Sequence, residues 1–178
     1  LYNVTVTDAN QCTSTNSVVI SQPLPLSTAS ISGSDISCFG FADGSASISV
    51  NGGTGPYTYS WSNTADSSQI SGLNAGTYVV IVTDSNGCSL TDSVTINEPA
   101  ELLSTLDPDS ISCNGFSDGT ITAQISGGIT PYSFNWSNNQ TTQNIANLDP
   151  GLYTLSLTDA NGCLVIDTAT IIEPDSIF

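Results

Sequence analysis

Gly52-Gly53-Thr54-Gly55-Pro56-Tyr57-Thr58-Tyr59-Ser60-Trp61-Ser62-Asn63 decides the fold. It returns as Gly127-Gly128-Ile129-Thr130-Pro131-Tyr132-Ser133-Phe134-Asn135-Trp136-Ser137-Asn138, with Trp61 and Trp136 lying 136 − 61 = 75 residues apart. Aromatics fall at every second position in each copy: Tyr57, Tyr59, Trp61, then Tyr132, Phe134, Trp136. A period of two marks a strand with one face buried. The paired glycines and the proline make a tight turn into it. Large aromatics dominate cores, so these residues, three in each copy, are the predicted core rather than a platform for sugars.

The flanking segments repeat too. Cys38 and Cys113, Gly76 and Gly151, and Cys88 and Cys163 keep the same spacing, while Cys12 to Cys88 is one residue longer. The chain therefore reads as residues 1–25 (the C-terminal part of one repeat), 26–100 and 101–175 (two complete repeats), and 176–178 (the start of another). Within a repeat, short alternating segments are parted by turns. Ala46, Ile48, Val50 match Ile121, Ala123, Ile125; Tyr78, Val80, Val82 match Tyr153, Leu155, Leu157 and Tyr2, Val4, Val6. No window has a helical period. About seven short strands in about 75 residues predict an all-β, immunoglobulin-like β-sandwich. Residue 1 falls within a predicted strand, so the chain is expected to be a window on a longer protein.

Two local motifs sharpen this. Leu73-x-x-Gly76-x-Tyr78 and Leu148-x-x-Gly151-x-Tyr153 have the form of a tyrosine corner, whose hydroxyl bonds back to backbone; both tyrosines join the predicted core. Asp84-x-Asn86-Gly87-Cys88 and Asp159-x-Asn161-Gly162-Cys163 read as hairpin turns, with Asn-Gly suited to type I′. Gln11 stands where the glycine belongs in Asp8-x-Asn10-Gln11-Cys12, so that turn is expected to differ. The joints Gln22-Pro23-Leu24-Pro25, Asn97-Glu98-Pro99 and Glu173-Pro174 are short and bear proline, which predicts semi-rigid spacing, end to end, as a rod.

Composition removes whole classes of function. The 178 residues hold 16 Asp and Glu and no Lys, Arg or His, a formal charge of −16. Without basic side chains, neutralising nucleic-acid phosphate or anionic lipid is excluded. No apolar run approaches the ~20 residues of a membrane-spanning helix. The usual general bases and amine nucleophiles are missing, so no enzyme is expected. Ca²⁺ is the one cofactor left open. Asp43 and Asp118 precede glycines, Asp84 and Asp159 open the hairpins, and these four either supply oxygen ligands or cap their own turns.

Five cysteines in an acidic, Ser/Thr/Asn/Gly-rich chain point to an oxidising, extracellular setting. Pairing within repeats, Cys38–Cys88 and Cys113–Cys163, is expected because each repeat then folds by itself, and Cys12 pairs upstream. Each bridge would close 88 − 38 = 50 residues, worth ~4 kcal/mol of chain entropy. The rival register is Cys12–Cys38 and Cys88–Cys113, leaving Cys163 for the next repeat.

Cys-x-Gly-x-x-Asp-Gly (38–44, 113–119), Gly-Gly-x-x-Pro-Tyr-x-x-x-Trp-Ser-Asn, Leu-x-x-Gly-x-Tyr, Asp-x-Asn-Gly-Cys and a proline joint together resemble the SprB repeat. That resemblance implies a fold like PKD and immunoglobulin-like domains. It implies a segment of a large cell-surface adhesin of gliding Bacteroidota, exported by the type IX pathway, carrying cells over surfaces or binding polysaccharide. The partners implied are further repeats of the same chain, surface polysaccharide and laterally associated filaments, with no nucleic acid and no membrane insertion. The alternative is a Ca²⁺-dependent carbohydrate-binding or spacer module of a secreted multidomain enzyme. The resemblance also implies glycosylation at Asp-Ser/Thr before a small or branched apolar residue. Ser93, Ser110, Thr168 and Ser176 fit that pattern.

Overall fold

In the computed structural model, residues 1–176 are described. They form strands joined by turns. β1 (Tyr2–Thr7) and β2 (Thr13–Val18) pair as an antiparallel hairpin. Two sets of six strands follow. The first is β3 (Ser27–Ser34), β4 (Gly44–Asn51), β5 (Thr58–Trp61), β6 (Gln69–Leu73), β7 (Gly76–Thr83) and β8 (Ser89–Ile96). The second is β9 (Leu103–Asp109), β10 (Gly119–Ser126), β11 (Ser133–Trp136), β12 (Ile145–Leu148), β13 (Gly151–Thr158) and β14 (Leu164–Ile171). Each set makes two three-stranded sheets of the same order, β3-β4-β6 with β5-β7-β8, and β9-β10-β12 with β11-β13-β14. This is an all-β, immunoglobulin-like arrangement with six strands per set, not seven. The stretch between β9 and β10 is a loop because Asp118 ties it down: Ser112 donates its N–H (3.0 Å) and its Oγ (2.6 Å) to that carboxylate. Backbone donors engaged this way are lost to a sheet ladder.

By density of contacts the chain divides into two compact units. One is Leu1–Ile31, Ile48–Ser68 and Val79–Ser93; the other is Ser32–Ser47, Gln69–Tyr78 and Val94 onward. In the first, Trp61 is 3% exposed and its Nε1 donates to Ser67 O at 2.8 Å. Val80 faces Trp61 in the β5–β7 ladder, and Val80 and Val82 are fully buried. In the second, Ile121 and Ala123 of one sheet meet Trp136, Leu155, Leu157 and Ile171 of the other in one apolar core. Of the eight aromatics predicted for the core, only Trp61 and Trp136 are fully inside it. The tryptophans end β5 and β11 buried, while Tyr57, Tyr59, Tyr132, Phe134, Tyr78 and Tyr153 are half-buried at the margin. The tyrosines stay there because a phenol needs a polar partner. Tyr57 and Tyr132 each donate to the carbonyl of the glycine five residues back, Gly52 and Gly127, at 2.6 Å. Tyr78 donates to Asn74 O (3.0 Å) and Tyr153 to Asp149 O (3.1 Å), which are the two tyrosine corners.

Two glycine positions are fixed by space. Gly127 has φ +69°, and a Cβ there would lie 1.8 Å from Glu101 O, so only glycine lets the turn into β11 pass under the incoming chain. Gly119 sits at a register shift in the β10–β12 ladder, and a Cβ there would meet Ile171 Cγ2 at 2.9 Å. Gly44 repeats that arrangement beneath Ile96. The glycine of each Asp-Gly pair is thus a packing requirement of a bulge.

Candidate functional site

Two features recur, the acidic hairpin and the loop that carries the opening cysteine, and one disulfide ties a loop to a hairpin. The hairpin is built by its aspartate. Asp159 Oδ1 accepts from Asn161 N and Cys163 N, both at 2.9 Å, and Oδ2 accepts from Ile129 N at 2.9 Å. Asp84 does the same with Asn86 N, Cys88 N and Thr54 N. Burial works against ionisation of both carboxyls, but the backbone N–H donors outweigh it and hold them below the ordinary aspartate value. Asp43 and Asp118 are held low chiefly by the hydroxyl and then the N–H of Ser37 and Ser112. All four Ca²⁺ candidates therefore serve as acceptors for their own turns. Among the described residues no three Asp, Glu, Cys or His groups converge on a common point.

The hairpin is also not the expected type I′ turn. Gly87 (φ +82°) and Gly162 (φ +86°) are left-handed, whereas Asn86 and Asn161 are not. Gly162 N donates to Asp159 O and Asp159 N donates to Cys163 O, both at 3.1 Å. That is a three-residue loop, a type I turn followed by a left-handed residue. The aspartate selects it, because its Oδ1 caps the N–H groups two and four residues on. Gln11 does not alter the turn: it adopts φ +66° and keeps both hydrogen bonds, Gln11 N to Asp8 O (3.0 Å) and Asp8 N to Cys12 O (2.9 Å).

The disulfide joins Cys38 to Cys163, with Cα atoms 5.6 Å apart and a sequence separation of 125. Cys12, Cys88 and Cys113 are exposed free thiols. Neither expected register occurs: Cys38–Cys88 and Cys113–Cys163 are absent, and so are Cys12–Cys38 and Cys88–Cys113. Strand direction supplies the reason. Cys113 follows β9, at the end of the sandwich where Gly119 pairs with Leu148 and Ile111 N donates to Ile172 O. Cys163 lies at the other end, where Ser126 pairs with Leu103 and Ala160 N donates to Ile129 O. An eight-residue strand separates the two ends by roughly 25 Å, against a limit of about 7 Å for a bridge. The opening cysteine of one set instead meets the hairpin cysteine of the next. Asn161 Nδ2 adds a hydrogen bond to Ser37 O at 2.8 Å. Beside the bridge is an open cleft lined by Phe39, Phe41, Leu102, Leu164 and Val165. Sequence reasoning did not single out Phe39 or Phe41, and it gave Asn161 a role in its own turn only; the signal for its contact with Ser37 was an asparagine two residues before each hairpin cysteine.

The four predicted modification sites, Ser93, Ser110, Thr168 and Ser176, are all exposed. Ser93 and Thr168 lie on β8 and β14, the edge strands of their sheets. Each donates its N–H to the aspartate just before it, at 2.8 Å.

The described residues contain no helix long and apolar enough to cross a membrane. No curated protein matches the chain. Among solved structures, three N-terminal domains of the Highly Immunogenic Outer Capsid protein (Hoc) of bacteriophage RB49 resemble it, with TM-score 0.51 and 18% identity over 83% of this chain and 59% of that one. The N-terminal four Ig domains of Dscam1 isoform 6.44 align at TM-score 0.36 and 14% identity, over 93% and 52% of the respective chains. The chain thus spans a little over half the length of each of these structures, and its likeness to the capsid protein is one of fold. The SprB repeat family model matches two segments of the chain, residues 30–66 and 105–141, from the first strand of each set through its buried tryptophan.

Proposed function

We propose that this segment is a structural and adhesive stalk of a large secreted bacterial surface filament, of the kind that serves gliding motility, and that it is not an enzyme. The observation that carries the reading is the Cys38–Cys163 bridge between two repeats, each matched in part by the SprB repeat family model. A covalent link across a joint resists extension where an isolated domain would simply part from its neighbour. The acidic composition fits the same role, since like charges within a Debye length of about 8–10 Å keep neighbouring filaments from collapsing together. Adhesion then arises by summing many weak contacts along the filament rather than from one deep pocket. Surface polysaccharide is the partner class proposed, and glycans at Ser93, Ser110, Thr168 and Ser176 are a proposed decoration.

Two measurements test this. Antibodies against the segment should stain intact cells of the source organism, and brief protease treatment should remove the stain. Under force, the oxidised segment should hide the chain between Cys38 and Cys163. Reduction should then release roughly 400–450 Å of extra contour length, at ~3.3–3.6 Å per residue over 125 residues. Stain confined to the cell interior, or equal extension with and without reductant, defeats the stalk.

A further inference from the structure

Cys38 and Cys113 occupy the same place in two copies of one loop, yet only Cys38 is bridged. The loops are held alike. Ser37 and Ser112 donate N–H and hydroxyl to Asp43 and Asp118. Phe41 N donates to Cys38 O at 3.0 Å, and Phe116 N to Cys113 O at 3.1 Å. Each loop is also tied to the proline joint leaving its repeat: Gly40 N donates to Glu98 Oε2 (3.2 Å), and Gly115 N to Glu173 Oε1 (2.7 Å). Cys113 is therefore presented on the same fixed turn, against the same joint, as the cysteine that is bonded. It borders a cleft lined by Ser112, Asn114, Pro174, Asp175 and Ser176.

The internal joint shows what fits there. Cys163 arrives on a hairpin whose Asn161 donates to Ser37 O, and whose fold is set by Asp159. The Asp84–Cys88 hairpin has the same aspartate caps and an asparagine, Asn86, at the equivalent place.

We propose that the bridge is a rule of the repeat. The opening cysteine of each repeat, Cys113 here, forms a disulfide with the hairpin cysteine of the repeat that follows, on an Asp-x-Asn-Gly-Cys turn whose asparagine donates to the Ser112 carbonyl. By the same rule Cys88 and Cys12 take the opening cysteines of repeats before theirs. In forming the bond the two thiols lose two protons and two electrons, and one Sγ–Sγ bond is made. A disulfide oxidant accepts them and is cleaved to two thiols; in the test it is glutathione disulfide. The result is a filament stapled at every joint, with no staple inside a repeat. The inference rests on the proposed function only in that repeats follow one another.

The test uses the full chain, alone and with a second copy of residues 101–175 added after residue 175, each folded in a glutathione redox buffer. The chain alone should show three titratable thiols and the Cys38–Cys163 peptide. The extended chain gains two cysteines yet should still titrate three thiols, with Cys113 linked to the added hairpin cysteine. Cys113→Ser in the extended chain should raise the count to four. Five thiols in the extended chain, or Cys113 linked to Cys163, overturns the rule. Should the extended chain misfold, peptide mapping of the full-length protein from its native source, without reduction, decides the matter. Cys113 found as a free thiol there also overturns it. Surface staining with a free Cys113 defeats this inference and leaves the stalk intact. A stapled Cys113 on a protein kept inside the cell does the reverse.

Discussion

The hairpin β1–β2 and the hairpin β13–β14 carry the same pattern and meet different fates. Tyr2, Val4 and Val6 correspond to Tyr153, Leu155 and Leu157. Both hairpins form a full antiparallel ladder. Yet Val4 and Val6 are 59% and 64% exposed, whereas Leu155 and Leu157 are at 0%. The ladder and the aspartate-capped turn need only the hairpin's own residues. The core needs the opposing sheet β9-β10-β12, which brings Ile121, Ala123 and Leu148 onto the leucines. Alternating apolar residues therefore specify strand pairing locally but acquire most of their stabilising energy from elsewhere in the repeat.

The sharpest way to break the comparison is to truncate matched positions. Leu157→Ala should destabilise the chain by about 2–5 kcal/mol, because it removes transfer energy and leaves a cavity. Val6→Ala, on the exposed hairpin, should stay within about 0.5 kcal/mol. Urea unfolding of both variants checks this, and equal effects would mean that β1–β2 is covered in solution.

The next difference lies in the turn aspartates. Asp159 caps its own hairpin and also reaches Ile129 N, while Asp8 caps only Asn10 N and Cys12 N. Asp159→Ala should cost about 1–3 kcal/mol, since it strands part-buried N–H donors, and Asp8→Ala should cost less. The pH dependence follows in sign. Asp43, Asp84, Asp118 and Asp159 are held below the usual aspartate value of 3.8 in the folded chain. Their contribution is present above that unfolded value and is lost as pH falls through the lower folded ones. The urea midpoint should therefore hold level on the neutral side and drop from about pH 3.8 downward. Asp84→Asn with Asp159→Asn should flatten the drop. A midpoint that rises on acidification would show that charge repulsion governs the acid limb instead.

A smaller effect separates the tyrosines. Tyr153→Phe removes the hydrogen bond to Asp149 O and should cost about 0.5–1.5 kcal/mol. Tyr2→Phe, on the exposed hairpin, should change nothing measurable. Thermal unfolding of the pair is sufficient to tell.

These contrasts show what the residue string makes legible. The buried tryptophans and the tyrosine corners could be read because each is a local pattern, a period of two or a Gly-x-Tyr spacing, with one geometric solution. Turn type could not, because Asn86-Gly87 alone favours one turn, and the carboxylate of Asp84 selects another by capping two N–H groups. The disulfide register was hidden for a different reason. Spacing says that Cys113 and Cys163 share a repeat, whereas bridging depends on which end of a strand each follows. Only the ladder, with Gly119 opposite Leu148 and Ser126 opposite Leu103, places them a strand length apart. Gly44 and Gly119 read as turn glycines, yet Ile96 and Ile171 pack over them, a contact between distant segments.

The smallest expected effect isolates the turn from the core. Gln11 holds φ +66° where Gly87 and Gly162 hold +82° and +86°. A left-handed non-glycine residue costs about 1–2 kcal/mol. Glycine would remove that cost but adds about 0.5–1 kcal/mol of chain entropy to be lost on folding. The strain exceeds the entropy, so Gln11→Gly should stabilise the β1–β2 turn by a few tenths to about 1 kcal/mol, and Gly162→Gln should destabilise its own hairpin by a similar amount. Because β1–β2 is exposed, the first change should leave the global unfolding midpoint where it is. It should instead slow hydrogen exchange at the Asp8 amide, which donates to Cys12 O, by about twofold or more. The second change sits on a hairpin whose strands line a core, so it should lower the global midpoint. Exchange at Asp8 that is unchanged or faster in Gln11→Gly would mean that Gln11 is not strained and that the two hairpins differ only in what covers them.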